Sequence, residues 1–121
     1  MVYNVNVDVN RILKSISALR SVRSAYPDEI TVFPMAVYQT RRSTYVRTGD
    51  NVETDTNWQI VIDIFIQEGS LTFIVDEVTD KFAQIGFEAT VQQANQAGFN
   101  RAIITLIGVV DNTNNHVYQA H

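Results

Sequence analysis

The residues of this chain that could do chemistry are few: two histidines, a run of helix acids, and three arginines spaced around a tyrosine. His116 and His121 stand near the end with Asp111 as their nearest acid, and no recognisable spacing links them as metal ligands. There is no cysteine, hence no disulfide framework and no thiolate site. Asp76, Glu77 and Asp80 fall on the polar side of an amphipathic segment, where carboxylates are solvated charge rather than an acid–base pair. The five glycines (Gly49, Gly69, Gly86, Gly98, Gly108) are scattered and form no phosphate-binding loop. No serine sits in a nucleophile-elbow sequence. The residue types therefore point away from an enzyme, with no catalytic, metal or cofactor-binding set. Arg41, Arg42 and Arg47, with Tyr45 among them, have the chemistry to meet phosphates and stack on bases. A pI near 4.9 argues against a general nucleic-acid binder, so a basic tip that touches passing DNA, or an acidic protein partner, fits better.

The elements that must carry these residues are readable from periodicity. From Trp58 to Gln67, Trp58, Ile60, Ile62, Ile64 and Ile66 alternate with Gln59, Val61, Asp63, Phe65 and Gln67. Period-two apolarity marks a strand with one buried face. The second face is mixed, and Val61 and Phe65 suit contact with another subunit as well as scattered surface exposure. Asp63 and Phe65 are the candidate subunit-interface residues on that face. Gly69 permits a turn and Ser70 an N-cap, and Leu71, Ile74, Val75, Val78, Phe82 and Ile85 recur at helical steps. Gly86 occupies the position where a left-handed residue ends a helix. At the N-terminus, Val5, Val9, Ile12, Leu13, Ile16 and Leu19 share a helical face, which predicts a helix over about 8–23 capped by Asn6 or Asp8. The competing reading, a strand through Val5, Val7 and Val9, covers fewer residues. Tyr26-Pro27-Asp28 reads as a turn.

A strand is expected from Met35 to about Thr40, starting after Pro34 because proline has no N–H for a ladder. Residues 41–57 form a polar connection that is either a long hairpin extending the two strands or a loop ordered only by a partner. A short strand over 87–92, a polar link over 92–100, and a strand over 101–110 covered on both faces follow. A turn cluster at 111–115 and a short strand at 116–118 complete the order. The expected fold is α+β: a two-layer sandwich with two helices on one face of a mainly antiparallel four-stranded sheet, in the order α-β-β-α-β-β.

At 121 residues the chain has the size of one domain, residues 1–121. No run of 18 apolar residues suggests a membrane span, and the N-terminus lacks the shape of a signal peptide. The absence of cysteine suits a cytosolic origin. Net charge is −4, unevenly divided: residues 1–50 carry seven basic against four acidic side chains, residues 51–121 two against nine. If that +3 and −7 division survives folding, one side of the subunit is basic and the other acidic, which favours head-to-tail contacts. If the halves interleave, the charges mix.

Several of these segments resemble the tail completion or tail terminator proteins of long-tailed bacteriophages. A sequence close to YQIDIF before the second helix corresponds to Trp58-Gln59-Ile60-Val61-Ile62-Asp63-Ile64-Phe65. An IGF-like helix end corresponds to Ile85-Gly86-Phe87, and a late VD to Val110-Asp111. The segment QQANQAGFN departs from the more charged loop that follows the IGF-like segment in that family. The resemblance implies a non-enzymatic structural protein of the virion tail and neck, made in the host cytoplasm. It would form a ring, usually six-fold, on the head-proximal end of the tail tube, end tube polymerisation and meet the neck proteins. Implied partners are other copies of the chain, tail tube protein and head–tail connector proteins, with DNA passing through the lumen and no cofactor. The 41–57 segment, through Arg41, Arg42, Tyr45 and Arg47, is then the expected contact with tube or neck. The rival readings are a head-completion or stopper protein, or a small α+β ligand-binding domain marked by a deep polar pocket.

Overall fold

The computed structural model describes residues 2–26, 32–67, 71–96 and 99–119. Its spine is a 14-residue strand, Glu53–Ile66 (β3), paired antiparallel on both sides. One neighbour is Met35–Arg47 (β2) and the other Phe99–Asp111 (β5). Glu88–Gln96 (β4) pairs antiparallel with β5 at the far edge. Two short strands complete a mixed six-stranded sheet. Ser21–Arg23 (β1) pairs parallel with the start of β2, and His116–Tyr118 (β6) pairs antiparallel with the end of β5. The lateral order is β1-β2-β3-β5-β4.

The isoleucine face of β3 is buried throughout, and two helices cover it. Trp58, Ile60, Ile62, Ile64 and Ile66 join Val5, Val9, Ile12 and Leu13 of Val5–Lys14 (α1) and Leu71, Ile74, Val75, Val78 and Phe82 of Leu71–Ala83 (α2) in one core. The α+β class with two helices on one face is as expected. The sheet has six strands rather than four, because β1 and β6 add to it, and β1 makes it mixed.

The first helix spans 5–14 rather than the expected 8–23, and its cap is neither Asn6 nor Asp8. Asn4 is the N-cap, its side chain accepting the Asn6 N–H at 3.1 Å. The helix stops at Ser15, whose hydroxyl donates to the Ile12 carbonyl at 2.6 Å. Serine competes locally for backbone groups and so favours helix ends. The chain then crosses to the sheet, where the N–H groups of Arg20 and Ser21 donate to the Pro34 carbonyl. Ile16 stays in the core although it lies beyond the helix. Val7 is 62% exposed, which removes the strand reading of this segment.

The second helix ends as its sequence indicates. Phe87 N–H donates to Phe82 and Gly86 N–H to Ala83, the paired bonds of a Schellman motif. The rings of Phe82 and Phe87 meet edge to face at 6.2 Å, the apolar contact that accompanies it. The expected N-cap Ser70 and turn residue Gly69 lie outside the described residues, as do Pro27 and Asp28 of the expected first turn. The polar link expected over 92–100 is strand at both ends, 92–96 continuing β4 and 99–100 opening β5. Of the two readings of 41–57, the long hairpin that extends the two strands is the one that forms.

Gly86 has φ +105°, and a Cβ there would lie 2.6 Å from the Val117 carbonyl oxygen. Left-handed backbone is strained for residues with a side chain. Gly86→Ala is expected to destabilise the fold by about 1–3 kcal/mol. That would appear as a lower urea midpoint at unchanged slope; an unaltered midpoint would mean the turn tolerates a side chain.

Candidate functional site

Three surfaces carry the polar and aromatic groups singled out above: the β2–β3 hairpin, the sheet face opposite the helices, and a groove beside the end of α2. The hairpin is an ordered ladder from Met35↔Phe65 out to Arg47↔Glu53, with register shifts around Val46. Thr48 and Val52 close its end, Thr48 N–H donating to Val52 at 2.9 Å, and Asn51 adopts φ 64°. Every residue from Arg41 to Val52 is exposed. Asparagine tolerates the left-handed region through its short polar side chain, which is what the turn requires.

The four expected contact residues share this hairpin but not one face. Side chains alternate along a strand, so Arg41 and Arg42 point to opposite sides. The Arg42 guanidinium lies 5.8 Å from the centre of the Trp58 ring, a cation–π contact on the helix-covered side. The Trp58 indole N–H is buried without an acceptor among the described residues. Arg41 lies on the other side with no ion pair among the described residues. Tyr45 packs edge to face on Tyr118 at 6.4 Å. Arg47 is tied into the tip: it donates to the Asn51 carbonyl at 3.1 Å and to Thr44 Oγ1 at 3.2 Å, and lies 3.5 Å from Glu53.

Two carboxylates lock the outer part of the hairpin. Glu53 accepts from Thr56 and from Thr44 (2.7 Å), and these hydroxyl bonds, with Arg47 nearby, hold its carboxyl below the ordinary glutamate value. Asp55 accepts from the Tyr118 phenol. That bond, with desolvation and the Asp55 charge, pushes the Tyr118 pKa up to about 12, so the phenol remains a donor at physiological pH.

On the sheet face opposite the helices, Asp63 and Phe65 occupy the expected side, but the chain itself engages both. Asp63 is 2% exposed and paired with Arg101 at 3.1 Å; the Arg101 guanidinium also lies 5.4 Å from the Phe65 ring centre. Phe65 belongs to a small second cluster with Met35 and Val37, against which Phe33 packs. Neither residue offers free surface. The exposed apolar residue of this face is Ile107, 49% exposed, beside half-buried Val61, Ile103 and Thr105. Strand β5 was expected to be covered on both faces; the helices cover only one. The sequence signal for Ile107 was present, since continuous apolarity in β5 demands two covers.

The groove, of about 400 Å³, is lined among others by Tyr3, Asp8, Arg11, Gly86 and His116. Its polar groups satisfy one another: Tyr3 donates to Asp8 at 2.7 Å and Arg11 approaches the other Asp8 oxygen at 3.4 Å. The hydrogen bond to Asp8 raises the Tyr3 pKa, with burial adding to the effect. His116 is exposed, and His121 lies outside the described residues. Asp76 and Asp80 are exposed on α2, and Glu77 is 4.0 Å from Lys81. Among the described residues no group of three or more His, Cys, Asp or Glu side chains is placed to hold a metal ion, and no helix is long and apolar enough to cross a membrane. No protein-family model matches the chain, and no curated protein does.

Two outcomes follow from the charge pairs. Arg101→Ala leaves the buried Asp63 carboxylate uncompensated and is expected to cost about 3–5 kcal/mol in urea unfolding, with Asp63→Asn costing less; equal, small losses would mean the pair is dispensable. A lowered carboxyl pKa adds stability above the ordinary value of 4.5, and that increment is lost as pH falls through the folded-state value. Glu53→Gln should therefore speed amide exchange in 44–56 at pH 7 and match the parent chain once the pH is well below 4.5. A difference that persists at low pH would contradict this role.

Proposed function

We propose that this chain is a non-enzymatic structural protein of a long-tailed phage particle, which forms a ring on the head-proximal end of the tail tube. There it ends tube polymerisation and presents the surface that joins tail to head. The observation that carries this reading is the hairpin: twelve consecutive exposed residues, Arg41–Val52, held in a hydrogen-bonded ladder and carrying Arg41, Arg42, Tyr45 and Arg47. A rigid, projecting element that exposes Arg41 and Arg42 fits docking onto a preformed tube end or neck, since little ordering entropy remains to be lost on contact.

The sheet supports subunit repetition. Among the described residues its order leaves β2 beyond Val37 and the outer side of β4 without strand partners. Unpaired edges are templates for pairing with another chain, and two different edges suit a head-to-tail contact that closes into a ring. The basic residues Arg20, Arg23, Arg41, Arg42 and Arg47 gather toward the β1–β2 side, and Glu88 stands on β4 at the other. Asp63 and Phe65, expected at the subunit contact, are buried within the chain, so the ring contact falls to the two sheet edges instead.

Charge reversal of Arg41, Arg42 and Arg47 together is expected to loosen the hairpin tip, where Arg47 meets Glu53, to leave the helix-covered core folded, and to abolish joining of tails to heads. Intact infectious particles from that variant would contradict the docking role. Retention of the parent chain by portal or adaptor protein, and not by tail tube protein, would assign it instead to the stopper position.

A further inference from the structure

The register of the sheet face opposite the helices lines up, across its exposed middle, a charge pattern that the sequence conceals. Across the four long strands, Arg41 (β2) pairs with Gln59 (β3), Gln59 with Ile107 (β5), and Ile107 with Glu88 (β4). The next row is Gln39, Val61, Thr105 and Thr90. The one after it carries Asp63 and Ile103 in its two middle strands. The first row thus runs from a cation at one edge, through a 49% exposed isoleucine, to an anion at the other edge. Both terminal charges are exposed, and neither has an ion-pair partner among the described residues.

We infer that this face docks on the same face of a second copy, about a two-fold axis that runs parallel to the strands between β3 and β5. Such a rotation lays β2 of one copy over β4 of its partner and keeps every row opposite itself. Arg41 then meets Glu88 of the other copy, and Glu88 meets Arg41, so one row makes two equivalent ion pairs. Between them Ile107, Val61, Ile103 and Thr105 of both copies close an apolar centre. A self-complementary patch with apolar middle and charged rim is the form of an isologous contact. Sheets packed face to face align within about 30°, an offset that arginine's length absorbs across four strands. The occupant is a second copy because the pattern is complementary to itself. A two-fold axis run across the strands at this row would instead set Arg41 against Arg41, which like charges disfavour.

Strand spacing makes the patch roughly 20 Å by 20 Å, which is small for a permanent interface. The contact is therefore concentration-dependent. It does not rest on the ring reading: a two-fold contact closes at two copies, and in a ring-forming chain it would join two rings face to face.

Sedimentation equilibrium of the full chain tests this, with far-UV unfolding of each variant as control. The parent is expected to show a monomer–dimer equilibrium, or a closed ring that doubles. Ile107→Asp, at an exposed site, should halve the mass of the associated species. Arg41→Glu and Glu88→Arg should each weaken association by about tenfold, and the double variant Arg41→Glu/Glu88→Arg should restore it, because each swapped charge again meets its opposite. A parent that stays monomeric, or association indifferent to Ile107→Asp, would overturn the proposal. So would failure of the double variant to recover, which would exclude this orientation. Normal tube capping by Ile107→Asp, which lies on the sheet face and on neither edge, alongside lost doubling would separate this contact from the ring contact.

Discussion

Strand β3 is hydrogen-bonded on both sides along nearly its whole length, and the rest of the molecule is arranged by that constraint. Its ladder with β2 extends from Met35↔Phe65 to Arg47↔Glu53, and its ladder with β5 from Asp55↔Asp111 to Ile66↔Asn100. A strand so placed has no freedom to slip, because a one-residue shift would turn five buried side chains to the other face. The helices are needed only on that face. Gly108 of β5 meets the same requirement from the far side: a Cβ there would lie within 2.9 Å of Phe87 and 2.7 Å of Val117, so the end of α2 and β6 close directly on the strand.

The same rigidity gives the exposed parts their character. Residues 41–47 and 53–57 are as polar as an unstructured connection, yet they continue a ladder whose other end is pinned in the core. Glu53, Thr44, Thr56 and Arg47 tie the two arms, and Tyr118 with Asp55 fastens the outer part of the hairpin to β6. Polar residues here serve geometry. The result is a shape-retaining projection on which Arg41, Arg42 and Arg47 are interspersed with Asp50, Glu53 and Asp55.

How much of this was legible in the sequence depends on the range of the interaction responsible. The alternation in Trp58–Ile66, the Ile85-Gly86-Phe87 helix end and the 111–115 turn are local signals, and each reads correctly. The end of α1 is set by Ser15 and by the pull of Pro34 on Arg20 and Ser21, a contact across the sheet. Strand β1 is three residues long and exists because β2 lies beside it. Gln92–Gln96 has loop composition but is an edge strand, extended by its ladder to 99–103. Asp63 reads as an outward charge; its burial depends on Arg101, 38 residues away, which alternation cannot reveal. Of the candidate contact residues, the sequence grouped Arg41, Arg42, Tyr45 and Arg47 correctly on one segment, but not their division between two faces.

The central claim is that this chain acts as an assembled surface at the end of a tube. Electron microscopy of tail tubes polymerised with and without the protein tests it most directly. The account predicts a ring of density at one end of each tube and tubes that no longer lengthen once it is bound. Bare tube ends, with lengths unaffected by the protein, would contradict it.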